Sequence, residues 1–305
     1  MSGSDVSRET KKPVIGVRRL KEPMPRPIKT RLFTVANQKG GVGKTTSAVN
    51  IAAALAMGGL KVLVIDLDPQ GNACTALGVD REGEGMYEVF VDERPLASII
   101  QKVAGFPHLE CAPANQELAG AEISMVNMVA RESILKLALN DYLREREAAG
   151  DRLDYIIIDC PPSLGLLTVN ALTAAEEVLV PIQCEYYSLE GISLLVSTLG
   201  KIQRALNPLV HISTILLTMF DSRTRLANDV ANDVRAHFPR ELIDIPIPRA
   251  VRVSEAPSFR QTVMTYDASS PGAVAYMQVA REIALRGAPH SAITTSTLES
   301  GAITA

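Results

Sequence analysis

The chain has 305 residues, 47% apolar and 21% charged, which is ample material for a buried core and excludes wholesale disorder. Aromatics amount to 4% and Trp is absent, which argues against a carbohydrate platform or a sheet that stacks RNA bases on exposed rings. The net charge of −3 hides an asymmetry: residues 1–31 carry nine Lys/Arg against three acids, leaving 22 cations and 31 anions for the rest.

The length is compatible with two small domains or one large α/β unit. Cys74, Cys111, Cys160 and Cys184 lie 24 to 49 residues apart and the four histidines are scattered, a spacing that suggests neither a zinc site nor a disulfide framework. The N-terminus has no apolar leader, and no run approaches the ~18 apolar residues of a membrane span, so a cytoplasmic location is expected.

In chain order, residues 1–30 set Pro13, Pro23, Pro25 and Pro27 among basic residues without sustained periodicity and read as a flexible arm. Such an arm is a solubilising tail or a contact for DNA, membrane or a partner. Short β-branched runs then alternate with helical patterns. Strands are expected at Leu32–Asn37, Lys61–Asp66, Leu109–Pro113, Asp154–Cys160, Glu177–Ile182 and His211–Met219, several apolar on both faces. Thr45–Met57 is an Ala-rich helix with a stop at Gly58-Gly59, and Arg131–Arg146 puts Leu135, Ala138, Leu139, Tyr142 and Leu143 on one face. This order predicts an α/β fold over 31–287, a doubly wound, mostly parallel twisted sheet flanked by helices. Residues 288–305 contain no Lys or Arg and read as a frayed tail.

Lys39-Gly40-Gly41-Val42-Gly43-Lys44-Thr45-Thr46 follows the first strand and opens the first helix. That is the context of a phosphate cradle. Glycines allow positive φ and aim N–H groups at an anion, the helix N-terminus adds its dipole, Lys44 adds a point charge and Thr45 a hydroxyl for magnesium. The common pattern would begin with Gly at position 38, where Gln38 stands, and a dinucleotide fingerprint would need Gly in place of Thr46.

K-G-G-x-G-K-T-T resembles the deviant Walker A motif of the MinD/ParA group of ATPases, which implies a P-loop fold with ATP and Mg2+ as cofactors. In that group the lysine matching Lys39 reaches across a nucleotide-sandwich dimer to the partner's phosphates, a cation supplied in trans. The resemblance makes Lys39, Lys44 and Asp68 catalytic and assigns nucleotide contact to Lys39, Gly40, Gly41, Val42, Gly43, Lys44, Thr45 and Thr46. Val64–Asn72 is similar to the group's first switch, with Asp68 orienting water and Asp66 near the magnesium shell, although Asp68-Pro69-Gln70-Gly71 also has the residues of a simple β-turn. Tyr155–Pro162 has the Walker B layout, placing Asp159 beside Thr45 and Asp66 as a metal-site residue and leaving Cys160 as packing.

Asp159–Thr168, Gln183–Gly191 and Ile245–Pro257 are similar to ParA proteins of the chromosomal type, so the resemblance covers residues 31–287. It implies adenine contact at Met219 and Pro248 and a nonspecific grip on double-stranded DNA by Arg223 and Arg252, within a segment, 221–262, that has seven arginines against six acids. It further implies ATP-dependent homodimers on the nucleoid and a ParB-type centromere-binding partner that stimulates slow hydrolysis. Stable membrane insertion is not expected, because the tail lacks the basic amphipathic helix of MinD-type proteins. A MinD-like or other cargo-positioning ATPase is the alternative, and metabolic relatives such as dethiobiotin synthetase normally lack the lysine matching Lys39.

Overall fold

The computed structural model describes residues 22–185 and 188–289, the side chains of 188–191 excepted. Most of the expected arm (1–21), the end of the expected tail (290–305) and part of the 183–191 motif lie outside the described residues.

Eight strands form one sheet: β1 (Arg31–Val35), β2 (Val62–Asp66), β3 (Gln101–Lys102), β4 (Leu109–Ala112), β5 (Tyr155–Asp159), β6 (Glu177–Gln183), β7 (His211–Thr218) and β8 (Leu242–Ile243). Their spatial order is β3-β4-β2-β5-β1-β6-β7-β8, and every neighbouring pair is parallel except β3 with β4. β2 and β5 are buried along their whole length because helices cover both faces of the sheet centre. Alternation decides which face each side chain enters: Val62 and Val64 join the core under the first helix, whereas Leu63 and Ile65 join the core on the opposite face.

The helix Lys44–Met57 is buried nearly all round, and its alanines let the sheet and the helix Pro271–Gly287 approach closely. Asn50, inside this core, accepts from Val263 N at 2.8 Å and donates to Thr46 O at 2.7 Å, so its amide is satisfied. Across the sheet, Ile134–Ala148 buries Leu135, Leu139 and Tyr142 against Leu166–Ala174, while Ser188–Ala205 and Arg225–His237 cover β6 and β7. All six expected strands are present, and the two extra ones are two-residue edge strands too short to show a pattern.

The arm boundary at residue 30 requires correction. Met24 is buried, its N–H donates to Gly58 O at 2.9 Å, and a Cβ on Gly58 would lie 2.6 Å from Met24 Cγ. Arg26 Nε meets buried Asp154 at 2.9 Å, Thr30 Oγ1 donates to Leu153 O at 2.7 Å, and Arg152 donates to Pro27 O at 2.7 Å. The packed body therefore begins by Met24. A buried Met24, side-chain ion pairs and bonds to backbone carbonyls hold the segment, and none of them leaves a periodic trace.

Candidate nucleotide-binding site

β1 delivers the chain to the carboxyl edge of the sheet, where ligands of open α/β folds gather. Asn37 pins the loop's start: its Nδ2 donates to Pro181 O at 2.8 Å and its Oδ1 accepts from Lys39 N at 3.0 Å. Gly41 and Gly43 have φ of +74° and +85°, which side-chain-bearing residues rarely adopt. A Cβ on Gly40 or Gly41 would meet nothing within 4 Å, so the loop borders open space. The helix that follows has neither a side-chain cap nor an acid in its first turn, which leaves its leading N–H groups for an anion. Thr218 at the end of β7 donates to Val42 O at 2.8 Å and holds the far side of the loop.

Lys44 is buried, and Nζ reaches Lys39 O at 3.4 Å. Burial pushes its pKa down, while Asp159, Cys160 and Asp68 oppose that shift. Asp66 and Asp159 are partners in the parallel register of β2 and β5, both fully buried. Their environments differ. Asp66 accepts from Asp68 N at 3.1 Å, from Cys74 N at 3.0 Å and from the Cys74 thiol at 3.1 Å. Neither carboxylate oxygen of Asp159 has a hydrogen-bond partner. Its pKa is raised well above the carboxylate range, by burial first and then by the charge of Asp66, with Thr45 and Lys44 pulling the other way. Buried acceptors without donors are costly unless a ligand completes them.

The cradle with open N–H groups, the buried ammonium and the unpartnered acid fit a phosphate with a hydrated divalent cation. Among the described residues no group of three or more His, Cys, Asp or Glu forms a cation cage. Asp159 is the acid with open acceptor positions. Asp66, whose oxygens are taken by the turn and helix beyond it, holds that turn in place.

Asp68 opens the turn at the edge of the cradle; its carboxylate accepts from Gln70 N at 3.0 Å and its carbonyl from Gly71 N at 2.8 Å. The β-turn that the residues Asp68-Pro69-Gln70-Gly71 favour is therefore present. Lys39 points elsewhere: its ammonium pairs with Glu185 of the same chain at 2.5 Å, both side chains being partly exposed. Met219 lies against the loop, its Cε 3.9 Å from a Cβ built on Gly43, and Pro248 pairs with Phe220 beside it. Because Arg249 N also donates to Phe220 O at 3.1 Å, the segments bearing Arg223 and Arg252 emerge side by side. Arg223 grips Asp221 at 2.9 and 2.7 Å, and Arg252 lies 3.2 Å from Glu255 and 3.6 Å from Asp267. Asn37, Thr218 and Glu185 were not singled out as site residues, because each is fixed by a partner more than a hundred residues away.

Residues 30–212 match the family described as AAA domain. The chain is 44% identical over 263 residues to the chromosome partitioning protein ParA of Myxococcus xanthus, an alignment that spans 86% of this chain and 90% of the relative. It is 46% identical over 259 residues to the sporulation initiation inhibitor protein Soj of Bacillus subtilis, with 84% and 99% covered. Among solved structures, cobyrinic acid a,c-diamide synthase from Mycobacterium smegmatis with bound ADP and magnesium superposes with a TM-score of 0.69 at 38% identity, over 82% of this chain and 92% of that one. The loop, the Asp68–Gly71 turn and the paired strand-end acids thus stand in a chain whose alignments span 90 to 99% of these relatives, and the protein belongs to the ParA/Soj family of chromosome-partitioning ATPases.

Proposed function

We propose that this chain is an ATP-dependent dimerising switch that binds DNA without reading its sequence and is reset by slow hydrolysis under a ParB-type partner. The observation that carries the proposal is the division of labour between two lysines on one loop. Lys44 is buried among acids, whereas the Lys39 side chain is partly exposed and its ammonium pairs with Glu185. A cation so placed is available to a second copy facing the loop.

The Gly40–Gly43 backbone, Lys44, Thr45 and Thr46 hold the phosphates, and Met219 and Pro248 flank the base. Thr45 and Asp159 hold a magnesium ion directly or through water, with Asp66 supporting from behind; when bound, that ion neutralises charge on the phosphates. Asp68 offers a carboxylate to the attacking water, a role of positioning. Arg223 and Arg252 touch DNA phosphates after exchanging their own acids for them. With two such contacts per subunit, a dimer has a log-log salt slope of about −3.6 and a monomer about half that. Pairing makes the second contact intramolecular, which turns nucleotide state into DNA affinity.

Sedimentation with a non-cleavable ATP analogue tests the core of this reading: dimers are expected with the analogue and monomers with ADP. Unchanged pairing by Lys39→Ala, or equal DNA retention by the ADP and ATP forms at fixed salt, overturns it. The likeness to a diamide synthase supports a second reading, a metabolic ligase on the same loop. Only a switch hydrolyses ATP with no small-molecule acceptor present, so that assay separates the two.

A further inference from the structure

We infer that Arg81 is a positioning residue for ATP hydrolysis: its guanidinium clamps the turn that carries Asp68. The inference rests on the proposed role of Asp68 and extends it to a residue with no motif of its own.

The turn Asp68–Gly71 is closed on its inner side by the bonds of the Asp68 carboxylate and carbonyl. Its other carbonyls, Pro69 O and Gln70 O, need donors. Arg81 supplies both, donating from Nη2 to Pro69 O at 2.7 Å and from Nη1 to Gln70 O at 2.7 Å. Its Nε donates to Ala114 O at 3.1 Å, which ties the turn to the loop after β4. That loop is itself braced: buried Asn115 donates to Glu88 at 2.8 Å, and Glu88 accepts from Gly85 N at 2.7 Å.

One planar fork therefore spans three carbonyls from two segments, a geometry a lysine ammonium cannot reproduce. Gly71 makes room for it. A Cβ there would lie 2.0 Å from Arg81 Nε, and the residue has a φ of +63°. The hydrogen bonds of Arg81 go to the turn and to the loop after β4 and none to residues 39–46, so what it contributes is the position of Asp68, not contact with nucleotide. A displacement of about 1 Å in a positioning group costs up to about a hundredfold in rate.

The test uses the full chain with Arg81→Ala, Arg81→Lys, Asp68→Ala and the Arg81→Ala/Asp68→Ala double variant, read by single-turnover hydrolysis, ATP-analogue affinity and amide exchange at residues 69–71. Arg81→Ala is expected to slow hydrolysis by about ten- to a hundredfold with analogue affinity within about twofold of wild type. Arg81→Lys restores only part of the rate, and Arg81→Ala adds no loss once Asp68 is gone. Exchange at Gln70 and Gly71 is expected to rise in both Arg81 variants, even if Asp68→Ala turns over normally, which sinks the Asp68 reading and leaves the clamp standing. Wild-type turnover in Arg81→Ala, equal loss in both backgrounds, or unchanged exchange overturns the inference. Should Arg81→Ala fail to fold, Arg81→Lys alone decides, since a clamp predicts slowed turnover at wild-type analogue affinity.

Discussion

The carboxyl edge of β1, β2 and β5 and the arginine-bearing surface that follows β7 treat charge in opposite ways. At the strand edge charged groups are buried and incompletely answered: Asp159 has no hydrogen bond, and Lys44 is lowered by burial. On the arginine surface the charges are exposed and already paired, Arg223 with Asp221 and Arg252 with Glu255 and Asp267. The first arrangement costs folding energy and is tolerable where a ligand completes it. The second costs little, since exposed ion pairs contribute ~0–1 kcal/mol, and in the proposed function such pairs exchange for DNA phosphate. On that proposal binding is built in at the strand edge and adjustable, through salt, at the arginine surface.

Substitutions can break or sharpen that contrast. The largest effect is expected from Lys44→Ala, which removes the buried cation and should weaken ATP by at least about a hundredfold in calorimetry, a loss of ~3 kcal/mol for a charge-assisted contact. Next, Met24→Ala should lower stability by about 2–4 kcal/mol in urea; an unchanged stability would return the packed boundary to β1.

Asp159→Asn should stabilise the nucleotide-free chain by about 1–3 kcal/mol while abolishing magnesium-dependent turnover, because it trades an unpartnered buried charge for a neutral amide. The pH dependence has the matching sign. The folded pKa of Asp159 lies above the unfolded ~3.9, so the folded chain holds its proton more firmly, and stability falls as pH rises from about 4 through the raised value. Melting points that stay flat above pH 4 in the nucleotide-free chain would contradict the assigned burial. The smallest effect belongs to the exposed pairs. Arg223→Ala should make the DNA salt slope shallower by about 0.9 per subunit, and Asp221→Asn should raise DNA affinity a fewfold at low salt by releasing Arg223. No change in either would mean that this surface does not meet phosphate.

Much of the site was legible because its parts are local. Gly41, Gly43, Lys44 and Thr45 lie within one loop and the helix it opens, and Asp66 and Asp159 each end an apolar run, so strand position is carried by the run itself. The two acids share a residue pattern, and only the packing separates them: Cys74 on the short helix Asn72–Leu77 hydrogen-bonds Asp66 closely, whereas Asp159 has only the nearby Thr45 hydroxyl and the Lys44 charge, neither in hydrogen-bond geometry. Met24, Arg81 and Glu185 were not singled out, because each depends on partners fixed by tertiary packing.

The amino-acid order by itself determined the alternation of strand and helix, the phosphate loop and the family resemblance, because hydrophobic period, glycine placement and cap chemistry act over a few residues. Tertiary structure alone decided which acid stays unpartnered, where Lys39 rests in a single chain, that residues 24–30 belong to the body and that Arg81 grips the switch turn. Those outcomes turn on distances between residues remote in the chain, which are set only once the sheet and its covering helices have closed around them.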